Sequence, residues 1–336
     1  MEPGTQEWLD QVDEAPLDPD REIVDPHHHL WPTGGALAYG VDDLVADTGS
    51  GHNIVQSVFI ECGAGYRTDG PNELLPVGET EFVAAAAEDL AERYPDAAPI
   101  DGIVAHADLA HPDLDAVLDA HEEASGGRFR GIRDSLAHAV EAEALLIPGQ
   151  YGESKSEGAA FRRGVARLGE RGLSYDCWLY HHQNGEFAAL ARAVPETTMV
   201  WDHFGTPLGV GRFAGRHDEI FEQWKLDTAE IAACENTVAK LGGLAMPDNG
   251  FEFHVAEAPP TSDQLLVDQR RWYEHTIECF GPERCMFESN FPVDRMSLSY
   301  TVYWNAMQKL AAQYSEAEQD AMFSGTARRI YRLAAE

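Results

Sequence analysis

Two histidines separated by one residue stand at the start of the first hydrophobic run. In IVDPHHHLW, Ile23 to Trp31, alternate side chains of an extended strand share a face. His27 and His29 therefore point together, while His28 points away as a structural residue. Two imidazoles on one face can reach one divalent ion, and neutral imidazole suits Zn²⁺ first, with Mn²⁺ as a second choice. Asp25 has the same parity and is a candidate to orient one ring from below. Other ligating or charged side chains recur where β-branched or aromatic runs end. These are Glu61 after NIVQSVFI, Arg133 in RFRGIR, His181 and His182 after LSYDCWLY, His203 after TTMVWD, Lys240 in NTVAKL, and Glu288 and Asn290 in RCMFESN. A lone histidine at a strand end is usually structural. Several at equivalent ends of separate strands need another explanation.

The elements that must position these residues form a regular alternation. Eight strand candidates are separated almost throughout by stretches with helical periodicity. That pattern implies a parallel sheet, and eight such units fit a closed (β/α)8 TIM barrel whose chemistry lies at the C-terminal strand ends. An open doubly wound sheet would be expected to carry a Gly-rich phosphate turn after its first strand, where this chain reads HHHLWPTGG. Residues 1–22 read as an N-terminal arm, 23–336 as one barrel domain, and YTVYWNAMQKLAAQYSEAEQDAMF as helices packed on it. The longest loops are expected at Gly63 to Gly78 and Pro247 to Pro260, on the functional face. On strand five, Trp178 and Tyr180 alternate with His181, and Tyr180 is within reach of a substrate. Trp201 shares the parity of His203 and is expected as a hydrophobic wall beneath the site.

Composition narrows the partners. Asp and Glu total 58 against 24 Lys and Arg, a formal charge of −34. Such a surface repels nucleic acid and anionic membranes, leaving a small molecule as the expected partner. It suits a salt-rich cell interior or an acidic proteome of high-GC coding, and the sequence does not choose. No apolar run is long enough to span a membrane. The acidic start, MEPGTQEWLDQVDEAPLDPD, is not expected to be a signal peptide. Five cysteines without a CxxC pair fit a reducing, cytoplasmic setting rather than a disulfide framework.

The DPHHHLW start, the LYHHQ and VWDHFG strand ends and the final CMFESNFPVD resemble the amidohydrolase superfamily. More closely, the chain is similar to the amidohydrolase-2 branch, which holds lactone hydrolases and metal-dependent decarboxylases. The resemblance implies a divalent-metal site built by His27, His29 and His181, with His182 as the alternative in a shifted register, and His203 as an acid–base group. It gives Arg133 the substrate's carboxylate or carbonyl oxygen, though a structural salt bridge is an equal reading. Glu61 and Tyr180 are the other candidate substrate contacts, and a homodimer is the form members of this branch often take. At strand eight the family's metal-binding or proton-moving Asp is replaced by Asn290, which cannot act as a base but remains a candidate neutral ligand. Glu288, on the same face, is the expected substitute, with Asp294 in the loop above as the other. A buried Glu288–Lys240 ion pair is the structural alternative. The expected reaction is hydrolysis of a carboxylated or sugar-acid lactone, or a related ester or amide. Non-oxidative decarboxylation of a hydroxy-aromatic or unsaturated acid is the alternative, and a barrel that binds without turnover is the third.

Overall fold

The structure is a computed structural model that describes residues 2–32, 38–149, 152 and 154–334. Its strands are β1 (Glu22–His28), β2 (Asn53–Ile60), β3 (Ile100–Ala105), β4 (Phe129–Arg133), β5 (Ser174–Cys177), β6 (Met199–Trp201), β7 (Thr237–Leu241) and β8 (Cys285–Phe287). Each pairs in parallel with the next in chain order. At the C-terminal mouth β8 returns to β1, where Asn290 N–H donates to His27 O at 3.0 Å and His29 N–H to Phe291 O at 2.8 Å. The result is a (β/α)8 barrel.

The barrel interior is layered by polarity. Val24, Val58, Ile60, Val104, Val200, Val238 and Met286 form an apolar floor with Ala327, Ile330, Tyr331 and Leu333 of the last helix and its end. That helix lies at the N-terminal end of the barrel, where Arg328 meets Glu22 at 3.0 Å. Each such side chain, taken from water, contributes about 1.5–3 kcal/mol. Above this floor the inward residues change to Asp176, Lys240, Asp202, Glu288 and His27, all fully buried. The outer face of the sheet is aromatic instead. Trp201, expected under the site, faces outward and stacks on Trp224 and Phe280, with its indole N–H on Asn184 Oδ1 at 3.2 Å.

The segment before β1 packs against the barrel. Trp8 is buried and donates to Ala256 O, and Glu14 accepts from the Ser262 amide and hydroxyl. The loop that matters most at the mouth was not anticipated: it follows β4, and its described residues between 134 and 158 form only short helical turns.

Candidate active site

His27 is the penultimate residue of β1 and His29 lies just beyond the strand, and their Nε2 atoms stand 3.3 Å apart. The Ile60 carbonyl 2.8 Å from His29 Nδ1 can only accept, so Nδ1 carries the hydrogen and Nε2 the lone pair. His27 Nδ1 faces Glu288 Oε2 at 2.8 Å and Lys240 Nζ at 3.2 Å. The carboxylate contact is the shorter, and Lys240 has carboxylate acceptors in Asp176 at 2.9 Å and Asp202 at 3.4 Å. His27 Nδ1 thus lies within ion-pair distance of Glu288 and hydrogen-bond distance of Lys240, while its Nε2 faces His29. Burial holds both rings well below the usual imidazole range, with Lys240 and Arg133 adding to it for His27 and Arg133 for His29.

Glu288 uses its second oxygen on His203, Oε1 to Nδ1 at 2.7 Å. His203 reaches this position through a left-handed backbone: His203, Phe204, Gly205 and Thr206 all have positive φ, at 55°, 58°, 63° and 37°. Single non-glycine residues there cost about 1–2 kcal/mol, and the run folds the His203 ring back over the barrel axis. Gly242 and Gly243 make the space. A Cβ on Gly242 would lie 2.5 Å from Glu288 Cγ, and one on Gly243, whose φ is +75°, would lie 2.3 Å from His203 Nδ1. Burial pushes the His203 imidazole down, but Glu288 outweighs it and the net direction is up. Among the described residues, His27, His203 and Glu288 form the one group of metal-capable side chains whose donor atoms all lie within 4.8 Å of each other.

Above this cluster opens a cavity of about 540 Å³, lined by His29, Trp31, Glu61, Cys62, Gly63, Tyr66, Arg133, Ser135, residues 147–149, Trp178, His203, Met246, Asn290 and Val293. Arg133 lines this space with its guanidinium already engaged by Glu61. Its Nε donates to Glu61 Oε1 at 2.7 Å and its Nη2 to the Glu61 carbonyl, while Nη1 lies 3.4 Å from His27 Nε2 and 3.7 Å from Asp202. Burial opposes its charge, but Glu61 and Asp202 outweigh that and raise its pKa.

Several expected residues sit elsewhere. β5 stops at Cys177, its inward parity ends with Trp178, and His181 opens the next helical turn. His181 Nδ1 accepts from Leu208 N–H at 3.1 Å and its ring meets Phe213, while His182 stacks on Phe213, so neither joins the cluster. Tyr180 is buried outside the cavity lining. Its hydroxyl accepts from Gly149 N–H at 2.7 Å and donates to Ile147 O at 3.1 Å, anchoring the loop that forms one wall. Asn290 lines the cavity but donates to Asp294 Oδ1 at 2.9 Å. Asp294 lies behind it outside the lining, pushed up to about 7 by burial despite that donor. Asp25 orients no ring: it accepts from Ser289 N–H and Oγ–H and from the Tyr300 hydroxyl, pinning β1 to the end of β8. Lys240 is 4.0 Å from Glu288 and closer to Asp176. Sequence reasoning missed Asp176 and Asp202, though the WDH and YDC contexts placed both beside residues already singled out, and it missed the Gly242–Gly243 pair.

A divalent cation fits this donor set. Ligands at ~2.0–2.1 Å from a tetrahedral Zn²⁺ lie about 3.3 Å apart, the separation of the His27 and His29 Nε2 atoms. The charges agree. With all four ionised, Glu61, Asp176, Asp202 and Glu288 exceed Arg133 and Lys240 by two negative charges, which a divalent ion would offset.

A (β/α)8 barrel with an HxH pair at the end of β1 and buried histidines and carboxylates at its mouth has the architecture of an amidohydrolase-type enzyme. The amidohydrolase family model matches residues 24–333, and the chain belongs to that family. An uncharacterized protein of Sinorhizobium fredii, y4mH, is 31% identical over 94% of this chain and 99% of its own length. The L-fucono-1,5-lactonase of Burkholderia multivorans is 29% identical over 71% of this chain and 73% of its own. Among solved structures, an amidohydrolase from Burkholderia multivorans with bound Zn superposes with a TM-score of 0.70 at 24% identity, over 93% of this chain and 99% of that one.

Proposed function

We propose that this protein is a metal-assisted hydrolase of small lactones, with His203 and Glu288 as its proton-transfer pair. The observation that carries the reading is the single buried carboxylate of Glu288, hydrogen-bonded to Nδ1 of His203 at 2.7 Å and 2.8 Å from Nδ1 of His27. With Nδ1 of His203 donating to Glu288, its Nε2 is the nitrogen left to accept a proton, in a ring that lines the cavity. A base oriented by a buried carboxylate is the arrangement that proton transfer requires. The raised pKa of His203 favours the imidazolium formed when it takes a proton from the attacking water.

The residues then divide the work. His27 and His29 would hold the metal, with Glu288 and His203 adjacent. When bound, the ion supplies Lewis acidity to the carbonyl and lowers the pKa of water. His203 accepts the water proton as the oxygen–carbonyl bond forms, and returns it to the ring oxygen as the ester C–O bond breaks, giving a hydroxy acid. Glu288 stabilises the intervening imidazolium. Trp31, Trp178 and the 147–149 wall shield the site from bulk water. Asp294 holds the Asn290 amide at the cavity edge and acts as a positioning residue.

The test is acid release from a panel of sugar and aromatic lactones, followed with a pH indicator, for the wild type and His203→Asn. Lactone turnover lost in the variant supports the proposal. CO₂ release from hydroxybenzoates with no lactone turnover would replace it with decarboxylation.

A further inference from the structure

We infer that Glu61 makes this cavity selective for uncharged, polyhydroxylated lactones, by occupying the Arg133 guanidinium that a carboxylated substrate would need. The inference rests on the lactonase reading but concerns the substrate's charge rather than the reaction.

The argument is an inventory of the lining. Carboxylates are held in proteins by a guanidinium fork, an ammonium or a set of free amide donors. Arg133 and Glu61 are the charged side chains in the described lining, and they are paired with each other. Two of the three nitrogens are committed to Glu61, Nε to its carboxylate and Nη2 to its carbonyl, and Nη1 lies 3.4 Å from His27 Nε2 and 3.7 Å from Asp202. Both residues are nearly fully buried, at 7% and 9% exposure, so the pair is a fixed part of the wall rather than a surface contact that water could exchange. Away from the metal-binding end, an anionic group entering this space would meet no side-chain cation that is not already paired with a carboxylate, and it would face the Glu61 carboxylate, a like-charge juxtaposition.

What remains suits a neutral ring with hydroxyls. Trp31 and Trp178 supply aromatic surface to the lining, and Asn290, Ser135, Gly63 and Gly149 line it as well.

The test compares two lactones of matched ring size that differ in one terminal group. These are the γ-lactone of gluconic acid, which is neutral, and the γ-lactone of glucaric acid, which carries a carboxylate. The wild type is expected to prefer the neutral lactone by at least ~50-fold in kcat/KM. Glu61→Gln, which frees the guanidinium, should cut that preference by about tenfold or more, while Glu61→Asp, which keeps the charge, should retain it. Calorimetric titration with glucarate, a dianion with no lactone to hydrolyse, gives a readout independent of turnover. Glucarate should bind Glu61→Gln at least ~10-fold more tightly than the wild type. Equal handling of the two lactones by the wild type, or equal glucarate affinity in wild type and Glu61→Gln, would overturn the inference. If no lactone is turned over, the proposed function fails while the glucarate comparison still decides the role of Glu61. If Glu61→Gln does not fold, the wild-type and Glu61→Asp selectivities decide it.

Discussion

Replacing Glu288 with Gln isolates the charge at the centre of the site while keeping its volume. The wild-type carboxylate accepts from His203 Nδ1 at 2.7 Å and lies 2.8 Å from His27 Nδ1, with all three side chains at most 3% exposed. A carboxamide has one acceptor oxygen and one donor nitrogen, so only one ring can keep an oxygen at its Nδ1. If His203 keeps it, His27 Nδ1 faces the amide donors and its hydrogen is placed on Nε2. That hydrogen then points at His29 Nε2, 3.3 Å away, and removes one of the two lone pairs a metal needs. If His27 keeps it, His203 loses its oriented Nε2. Either way one function fails. The Coulomb attraction between Glu288 and a protonated His203 at 2.7 Å is about 6 kcal/mol at an effective dielectric of ~20. Part of that is offset by desolvation, and breaking a buried pair typically costs ~3–5 kcal/mol. We expect kcat to fall by roughly 10²–10⁴ and the acidic limb of the pH–rate profile to shift down, since burial would no longer be countered at His203. Metal per chain, by elemental analysis of protein purified without an affinity tag, is expected to fall if His203 keeps the oxygen and to hold if His27 does. Activity within tenfold of wild type together with unchanged metal content would refute the reasoning.

Four further outcomes follow from the same geometry. Gly243→Ala places a methyl 2.3 Å from His203 Nδ1 at a φ of +75°, so activity should drop by ~10² or more in a protein whose circular dichroism still reports the barrel; wild-type activity would show that the ring has room to shift. His181→Ala should leave metal content unchanged and His29→Ala should lower it, both read by elemental analysis; loss of metal in the first would return His181 to the ligand set. Tyr180→Phe removes both hydrogen bonds to the 147–149 wall, about 1–3 kcal/mol in all, and should raise KM more than it lowers kcat; the opposite split would place the hydroxyl at the chemistry. Burial, with Glu61 adding to it, raises the Glu79 carboxyl to about 8. A carboxyl raised in the fold contributes stability that is full below its unfolded value near 4.5 and is lost as pH rises through about 8. The wild type should therefore melt at lower temperature at pH 9 than at pH 5, with Glu79→Gln reducing that difference by up to roughly 5 kcal/mol; an equal pH slope in both proteins would exclude Glu79 as its source.

The barrel was legible because its signal is repeated: eight β-branched runs, each followed by a helical period, leave few other arrangements. The polar residues were legible in proportion to how regular the backbone is beneath them. On β1 and β8 parity holds, so His27 and His29 share a face and Glu288, two residues before Asn290, points into the barrel toward them. On β5 the chain leaves the sheet at Cys177, and counting in twos beyond that point assigned to His181 a place that Trp178 fills. On β6 the count failed in a more informative way. Trp201 and His203 have the same parity, yet one faces the outer helices and the other the barrel axis, because the chain turns left-handed at His203. Periodicity cannot register that turn. Its sequence trace is displaced onto another strand, in the Gly242–Gly243 pair that leaves space for the His203 ring and the Glu288 side chain.

The Arg133–Glu61 pair marks a second limit of the same kind. Each residue was visible alone as a charged strand end, but β3 lies between their strands, and no local pattern says whether two such groups face a ligand or each other. The answer changes chemistry rather than stability alone. An unpaired Arg133 would advertise a carboxylate site, and a paired one closes it. In the selectivity proposed above, substrate charge depends on a contact across 72 positions of chain, while the proposed reaction depends on Glu288 on one strand meeting histidines from two others. A relative keeping Arg133 but lacking an acid at position 61 should take carboxylated lactones with the same His203–Glu288 pair, and a kcat/KM comparison on neutral and carboxylated lactones would show whether the two properties separate.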